Sequence, residues 1–195
     1  MKNNFKNLIK AFFVFLFLNT SFLCAQEQNY DEIIQNAMAL YATGNYSQSY
    51  NLLDNLPVDK KNENVFLILS NIAQEQNDDN AAISNLNKAL DINYEFYKAY
   101  YNLGCIFASK ESYLLALNNF ELASKYNKEF APAYYNLAYC QMKLKNFKGA
   151  KKNLIKALEL EPDNKDILYN LIYCYKEFNE EKRAKKLIDV YNKLT

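Results

Sequence analysis

The sequence predicts an all-α chain, a solenoid of stacked two-helix repeats. Three observations lead there. Ala99-Tyr-Tyr-Asn-Leu-Gly104 returns 34 residues later as Ala133-Tyr-Tyr-Asn-Leu-Ala138, and self-similarity at a fixed period of about 20 to 50 residues marks a stacked array. Small and apolar residues inside both copies recur at helical spacing, without the alternation that marks strands. Only three Gly and three Pro occur in 195 residues, too few breakers for a loop-rich or sandwich fold.

The echo persists downstream, with Tyr113 answered by Phe147, Ala116 by Ala150, Phe120 by Leu154 and Ala123 by Ala157. In these residues the chain resembles the tetratricopeptide repeat family. That family's 34-residue unit carries an aromatic at position 4, Leu at 7, Gly or Ala at 8, an aromatic at 17, Ala at 20, a large apolar residue at 24, Ala at 27 and Pro at 32. The resemblance implies a right-handed α-solenoid of helix-turn-helix units. It fixes packing and not chemistry, so it names no partner.

Residues 1–25 stand apart from the repeats. A basic start with Lys2, Lys6 and Lys10 precedes the apolar run Ala11 to Leu18, then Asn19-Thr20-Ser21 and Phe22-Leu23-Cys24-Ala25. That order matches the three regions of a secretory signal, with cleavage expected after Ala25. The apolar run is short against the roughly 20 residues that span a bilayer. Acylation at Cys24 and retention as an uncleaved anchor are the alternatives, although Leu23 stands where a lipobox has a small residue. The chain is expected to be exported, to the periplasm or cell envelope or beyond it.

Residues 26–29 read as a polar linker, and residues 30–195 as five units. Unit one, 30–62, keeps Ile33, Ala37, Leu40, the turn Gly44-Asn45, Tyr46, Ser49 and Leu53, with Asn36 where Leu is usual. Pro57 ends its second helix. Unit two, 63–96, has Phe66, Leu69, Ser70, Ala82, Leu86 and Ala89, with Asn77-Asp78-Asp79-Asn80 as its inner turn. Units three and four, 97–130 and 131–164, are the matched pair. Unit five, 165–195, has Leu168, Leu171, Ala184 and Ile188, while Ile172 and Tyr191 replace small residues, as befits a terminal unit.

No single unit can bury its own apolar face, so about three must stack before the array is stable. The column Ser49, Ala82, Ala116, Ala150 and Ala184 lies where the paired helices cross. Small side chains there let the axes approach to roughly 8–9 Å.

Composition narrows the function. His is absent, which removes Cys–His and Ser–His nucleophile pairs and most transition-metal sites. With no Gly-rich phosphate loop either, no catalytic, cofactor-binding or metal residue is assigned, and the chain is expected not to be an enzyme. Asp163-Asn164-Lys165-Asp166 lacks the Gly and closing Glu of a calcium loop. Without the three leader lysines, 20 basic residues face 22 acidic ones, a net of −2, which offers no footprint for nucleic acid. Cys105, Cys140 and Cys174 show neither CxxC nor bridging spacing and are expected to be core. The charges of the last helix read as a solvated face.

The resemblance implies that positions 2, 5, 9, 12 and 13 of each first helix line a concave groove. Here those places hold Tyr101, Tyr135, Tyr139, Tyr169 and Tyr173, with Met38 and Tyr41 from unit one, and Asn102, Asn136 and Asn170 recur at position 6. Aromatic plates beside amide hydrogen-bonders suit an extended peptide or an inserted helix. The competing reading packs these tyrosines between neighbouring units with their hydroxyls at the surface. Some adaptors of the family grip a C-terminal carboxylate. Asn71 and Asn102 fit that clamp, but Leu67, Pro132 and Asn136 occupy its basic places, so it is not expected here. The expected function is therefore a non-enzymatic scaffold for a protein or peptide partner. The alternative is a membrane-tethered assembly factor of the envelope, held by a lipid on Cys24 or by the N-terminal anchor.

Overall fold

Ten α-helices and no strand occur among residues 29–194, the part of the chain that the computed structural model describes. Helix α1 covers residues 29–42. It is followed by α2 (Tyr46–Asp54), a 3-10 turn (Val58–Lys60), α3 (Glu63–Glu75), α4 (Asp79–Ile92) and α5 (Tyr97–Ser109). The second half comprises α6 (Tyr113–Tyr126), α7 (Ala131–Lys143), α8 (Phe147–Leu160), α9 (Lys165–Glu177) and α10 (Glu181–Lys193). Each helix packs on the next in sequence, so the molecule is an all-α solenoid of antiparallel helix pairs. The expected export signal over residues 1–25 lies outside the described residues. Residue 29, assigned to the linker on sequence, already belongs to α1. Among the described residues, no helix is long and apolar enough to cross a membrane.

The helices start and stop for local reasons. Asn62 accepts hydrogen bonds from the Asn64 and Val65 amides, Asp78 from Ala81, Asn146 from Gly149, and Asn164 from Asp166 and Ile167, which satisfies amides left free at a helix start. Pro132 stands in the first turn of α7, where its missing N–H costs nothing. Every first helix ends on a residue with positive φ: Gly44, Asn77, Glu111, Lys145 and Asn179. At the fourth of these turns the Lys145 amide donates to the Met142 carbonyl (2.9 Å) and the Asn146 amide to the Gln141 carbonyl (2.7 Å). That pair of bonds closes the helix with a left-handed residue. The turn recurs through backbone geometry, although Gly fills it only once.

The expected small-residue column is buried from end to end: Ser49, Ala82, Ala116, Ala150 and Ala184 are all fully inaccessible. Ser49 does not leave a polar group stranded, because its hydroxyl donates to the Ala37 carbonyl at 2.7 Å. Ser70 differs, as its buried hydroxyl has no hydrogen-bond partner. Gly104 lies against the ring of Phe120, which would stand 2.6 Å from an added Cβ. Cys140 and Cys174 are buried free thiols and Cys105 a half-buried one. Burial pushes the Cys140 and Cys174 thiols up to about 11. At the far end, Lys151 of α8 pairs with Glu180 and lies over the Phe178 ring, tying α8 to the α9–α10 turn.

Candidate partner-binding face

The first helices α3, α5, α7 and α9 stand side by side, and residues one repeat apart meet across them. Asn136 of α7 donates its amide to the Tyr101 hydroxyl of α5 at 3.0 Å, and Asn170 of α9 donates to the Tyr135 hydroxyl of α7 at 3.1 Å. In α3 the equivalent of Tyr101 is Leu67, which has no hydroxyl, so Asn102 donates instead to Asn71 at 2.8 Å. Tyr at position 5 thus pairs with Asn at position 6 of the following unit. The ladder runs across four first helices.

Five of the eight candidate residues, Tyr101, Asn102, Tyr135, Asn136 and Asn170, take part in this ladder and are half-buried. The Tyr101 ring also packs 5.7 Å from Phe120 and edge-on to Phe130 at 5.0 Å. Desolvation, aided by the neighbouring Cys105 thiol, pushes the Tyr101 hydroxyl up to about 12, against a smaller opposing pull from Asn136. Tyr135 is raised by burial and by Asp166, with Asn170 opposing.

The other three face solvent. Tyr139, Tyr169 and Tyr173 are 38, 64 and 42 % exposed, high values for aromatic rings in a core-forming array. Two of them are held from below. Tyr113, at the start of α6, lies edge-on to Tyr139 at 6.4 Å, and Phe147, at the start of α8, lies 5.9 Å from Tyr173. The same joint is repeated one unit on. The Lys143 ammonium sits 5.2 Å from the Tyr139 ring centre, within cation–π range.

Between α7 and α9 these residues border a cleft of about 390 Å³, lined by Tyr139, Met142, Lys143, Lys145, Phe147, Asn170 and Tyr173. Its lining holds two lysines and no carboxylate. Met142 and Lys143 occupy positions 12 and 13, which the family's groove rule includes, yet neither is among the groove residues expected from the sequence; Lys145 and Phe147 become part of the site only through the left-handed turn between α7 and α8. A second cleft, about 490 Å³ and polar, is lined by Tyr41, Asn71, Gln74, Glu75, Asn77 and Asn102. A larger one, about 650 Å³, lies away from the ladder, between the Val58–Asn62 loop and the end of α4. Among the described residues, no three His, Cys, Asp or Glu side chains converge as metal ligands would.

Residues 45–174 match the family model described as the tetratricopeptide repeat protein 21 C-terminal ARM domain. Among solved structures, pilF of Pseudomonas aeruginosa is 20% identical, with a TM-score of 0.75 over 85% of this chain and 76% of that one. A MamA double mutant from RS-1 is 17% identical, with a TM-score of 0.73 over 85% of this chain and 93% of that one. MamA from AMB-1 is 18% identical, with a TM-score of 0.69 over 85% and 91%. No curated protein sequence matches the chain. At these identities the structures speak for the fold alone.

Proposed function

The chain belongs to the family of the tetratricopeptide repeat protein 21 C-terminal ARM domain, and on that premise we propose that it is a non-enzymatic scaffold whose first helices hold a protein partner. The observation that carries this reading is the exposure of Tyr139 and Tyr173 in the lining of the α7–α9 cleft, with Tyr169 exposed on the same helix as Tyr173. Rigid aromatic rings give a large contact area for little lost side-chain entropy, and such residues dominate binding energy where they are then desolvated. Lys143 and Lys145 at the rim suit a partner segment that carries carboxylates beside an apolar anchor. The Tyr–Asn ladder serves the site indirectly, by holding adjacent first helices in register beneath it. Export to the cell envelope is part of the proposal and rests on the signal-like pattern of residues 1–25.

A cross-linking pull-down from native envelope extract tests the face, run with the chain and with a Tyr139→Ala/Tyr173→Ala variant. Both residues are exposed, so equal folding by circular dichroism is expected. A partner captured by the first and lost by the second supports the proposal; one held equally by both moves the interface elsewhere. Fractionation with N-terminal mass analysis tests export. Recovery of an unprocessed chain in the cytoplasm would refute it, and an acylated Cys24 would favour the tethered assembly factor.

A further inference from the structure

The solenoid is electrically polarised along its length. Residues 29–96 carry ten acidic residues against three lysines, a net of −7, while residues 131–194 carry thirteen basic against eight acidic residues, a net of +5. The middle unit is close to neutral. A near-neutral total therefore conceals two oppositely charged ends.

The end faces are unfinished copies of the joint that links units inside the stack. Within the array, positions 3 and 7 of a first helix close onto the preceding second helix. They are Val65 and Leu69, Ala99 and Leu103, Ala133 and Leu137, Ile167 and Leu171, none more than 5% exposed. In α1 the same places hold Glu32 and Asn36, both exposed, with Asp31 beside them. On the other side of the joint, Leu86, Phe120 and Leu154 are buried beneath the next first helix. Their counterpart in α10 is Ile188, left partly exposed and bordered by the exposed Lys182, Lys185 and Lys186. None of these three lysines has an acidic partner among the described residues, whereas Arg183 is already bound to Glu180 at 2.5 Å. Among the described residues, Asp31 and Glu32 likewise lack a cationic partner.

We infer that the chain associates head to tail, the acidic α1 face of one copy seating on the basic α10 face of a second. An anionic membrane or nucleic acid would account for the lysines alone and would leave the exposed acidic face of α1 without a counterpart. A second copy accounts for both ends at once. The joint is heterologous and does not close on itself, so it extends into chains of copies. It lacks the Leu-on-Leu contact of the internal joints, which makes it reversible and dependent on salt: the screening length shrinks from about 10 Å at 0.1 M to about 3 Å at 1 M ionic strength.

Sedimentation velocity of the full chain against concentration provides the test. At low salt the average mass should rise above the 22.8 kDa monomer as concentration increases, and this rise should vanish at 1 M salt, the roughly 3 Å screening limit. A head variant, Asp31→Lys/Glu32→Lys, and a tail variant, Lys182→Glu/Lys185→Glu/Lys186→Glu, should each remain monomeric alone. Mixed together they should associate again, because each then meets its opposite charge. The chain combining both sets should self-associate, which separates lost complementarity from lost folding. A monomer at every concentration, association that ignores salt, or failure of the mixture to recover would overturn the inference. So would tail lysines that bind phosphatidylserine vesicles while the protein stays monomeric.

Discussion

Replacing Gly104 by Ala tests the tightest joint in the stack. Gly104 is buried in the interior of α5, and an added Cβ would lie 2.6, 2.7 and 2.9 Å from Cε1, Cδ1 and Cζ of Phe120. Carbon atoms rest at about 3.5–4.0 Å, so the ring would have to retreat by about 1 Å. It has little freedom to do so, being 1% exposed with the Tyr101 ring 5.7 Å away. Overpacking of this kind costs about 1–3 kcal/mol, against about 1 kcal/mol gained by removing Gly from a helix interior. The expected net is a loss of up to about 2 kcal/mol, a fall in Tm of up to about 8 °C for a chain of this size. The next unit supplies the rescue, since Ala138 and Leu154 occupy the equivalent places in one buried cluster. Gly104→Ala combined with Phe120→Leu rebuilds that joint between α5 and α6. A urea double-mutant cycle should therefore show favourable coupling of about 1 kcal/mol or more. If Gly104→Ala stabilises the chain by its full propensity gain, with no coupling to Phe120, the steric argument is wrong.

Three further outcomes are expected. Glu111 and Lys145 hold φ of 57° and 63°, which costs an L-residue about 1–2 kcal/mol; allowing for the freedom Gly has when unfolded, Glu111→Gly or Lys145→Gly should add roughly 0.5–1 kcal/mol in urea unfolding. A loss at either site would mean that its side chain contributes more than its backbone strains. Ser70→Ala should raise Tm, because it removes a buried hydroxyl without a partner, a group that costs about 1–3 kcal/mol; a lowered Tm would refute that. Cys140 and Cys174, with thiols near 11, should resist iodoacetamide at pH 8 in the folded chain and react on denaturation, as read by peptide mass mapping. These thiols and Tyr101 hold their protons more tightly folded than unfolded, so their contribution to stability is complete below pH 9 and fades toward pH 12. Thermal melts flat across that window would contradict the assignment.

The repeat architecture was legible in the sequence because packing at each crossing demands the same residue class every 34 positions. Ala82, Ala116, Ala150 and Ala184 carry that demand openly, and Ser49 is close enough in size to read as a member. The turns were only partly legible. Gly44-Asn45 and Asn77-Asp78 advertise a left-handed residue, whereas Glu111 does not, because a charged side chain gives no sign that the backbone is held there by two carbonyl bonds. The candidate face was legible as a list and not as an arrangement. Tyr101 and Tyr139 are the same residue type at neighbouring groove positions of adjacent units, yet one is drawn into the ladder and the other stands in solvent.

What the sequence determined by itself was the period, the helical class, the column of small residues and the choice of Tyr and Asn for the first helices. Those are properties of residue type and spacing, which act within one or two turns of helix. Tertiary structure decided which tyrosines remain available and that the acidic and basic stretches of the sequence stand at opposite ends. Tyr101 is engaged because Asn136 and Phe130 reach it from about one repeat away, a contact that exists only once two units stack. The opposition of acidic and basic ends likewise arises from stacking, since an array in which each unit touches only its neighbours keeps its two termini, and their charges, apart.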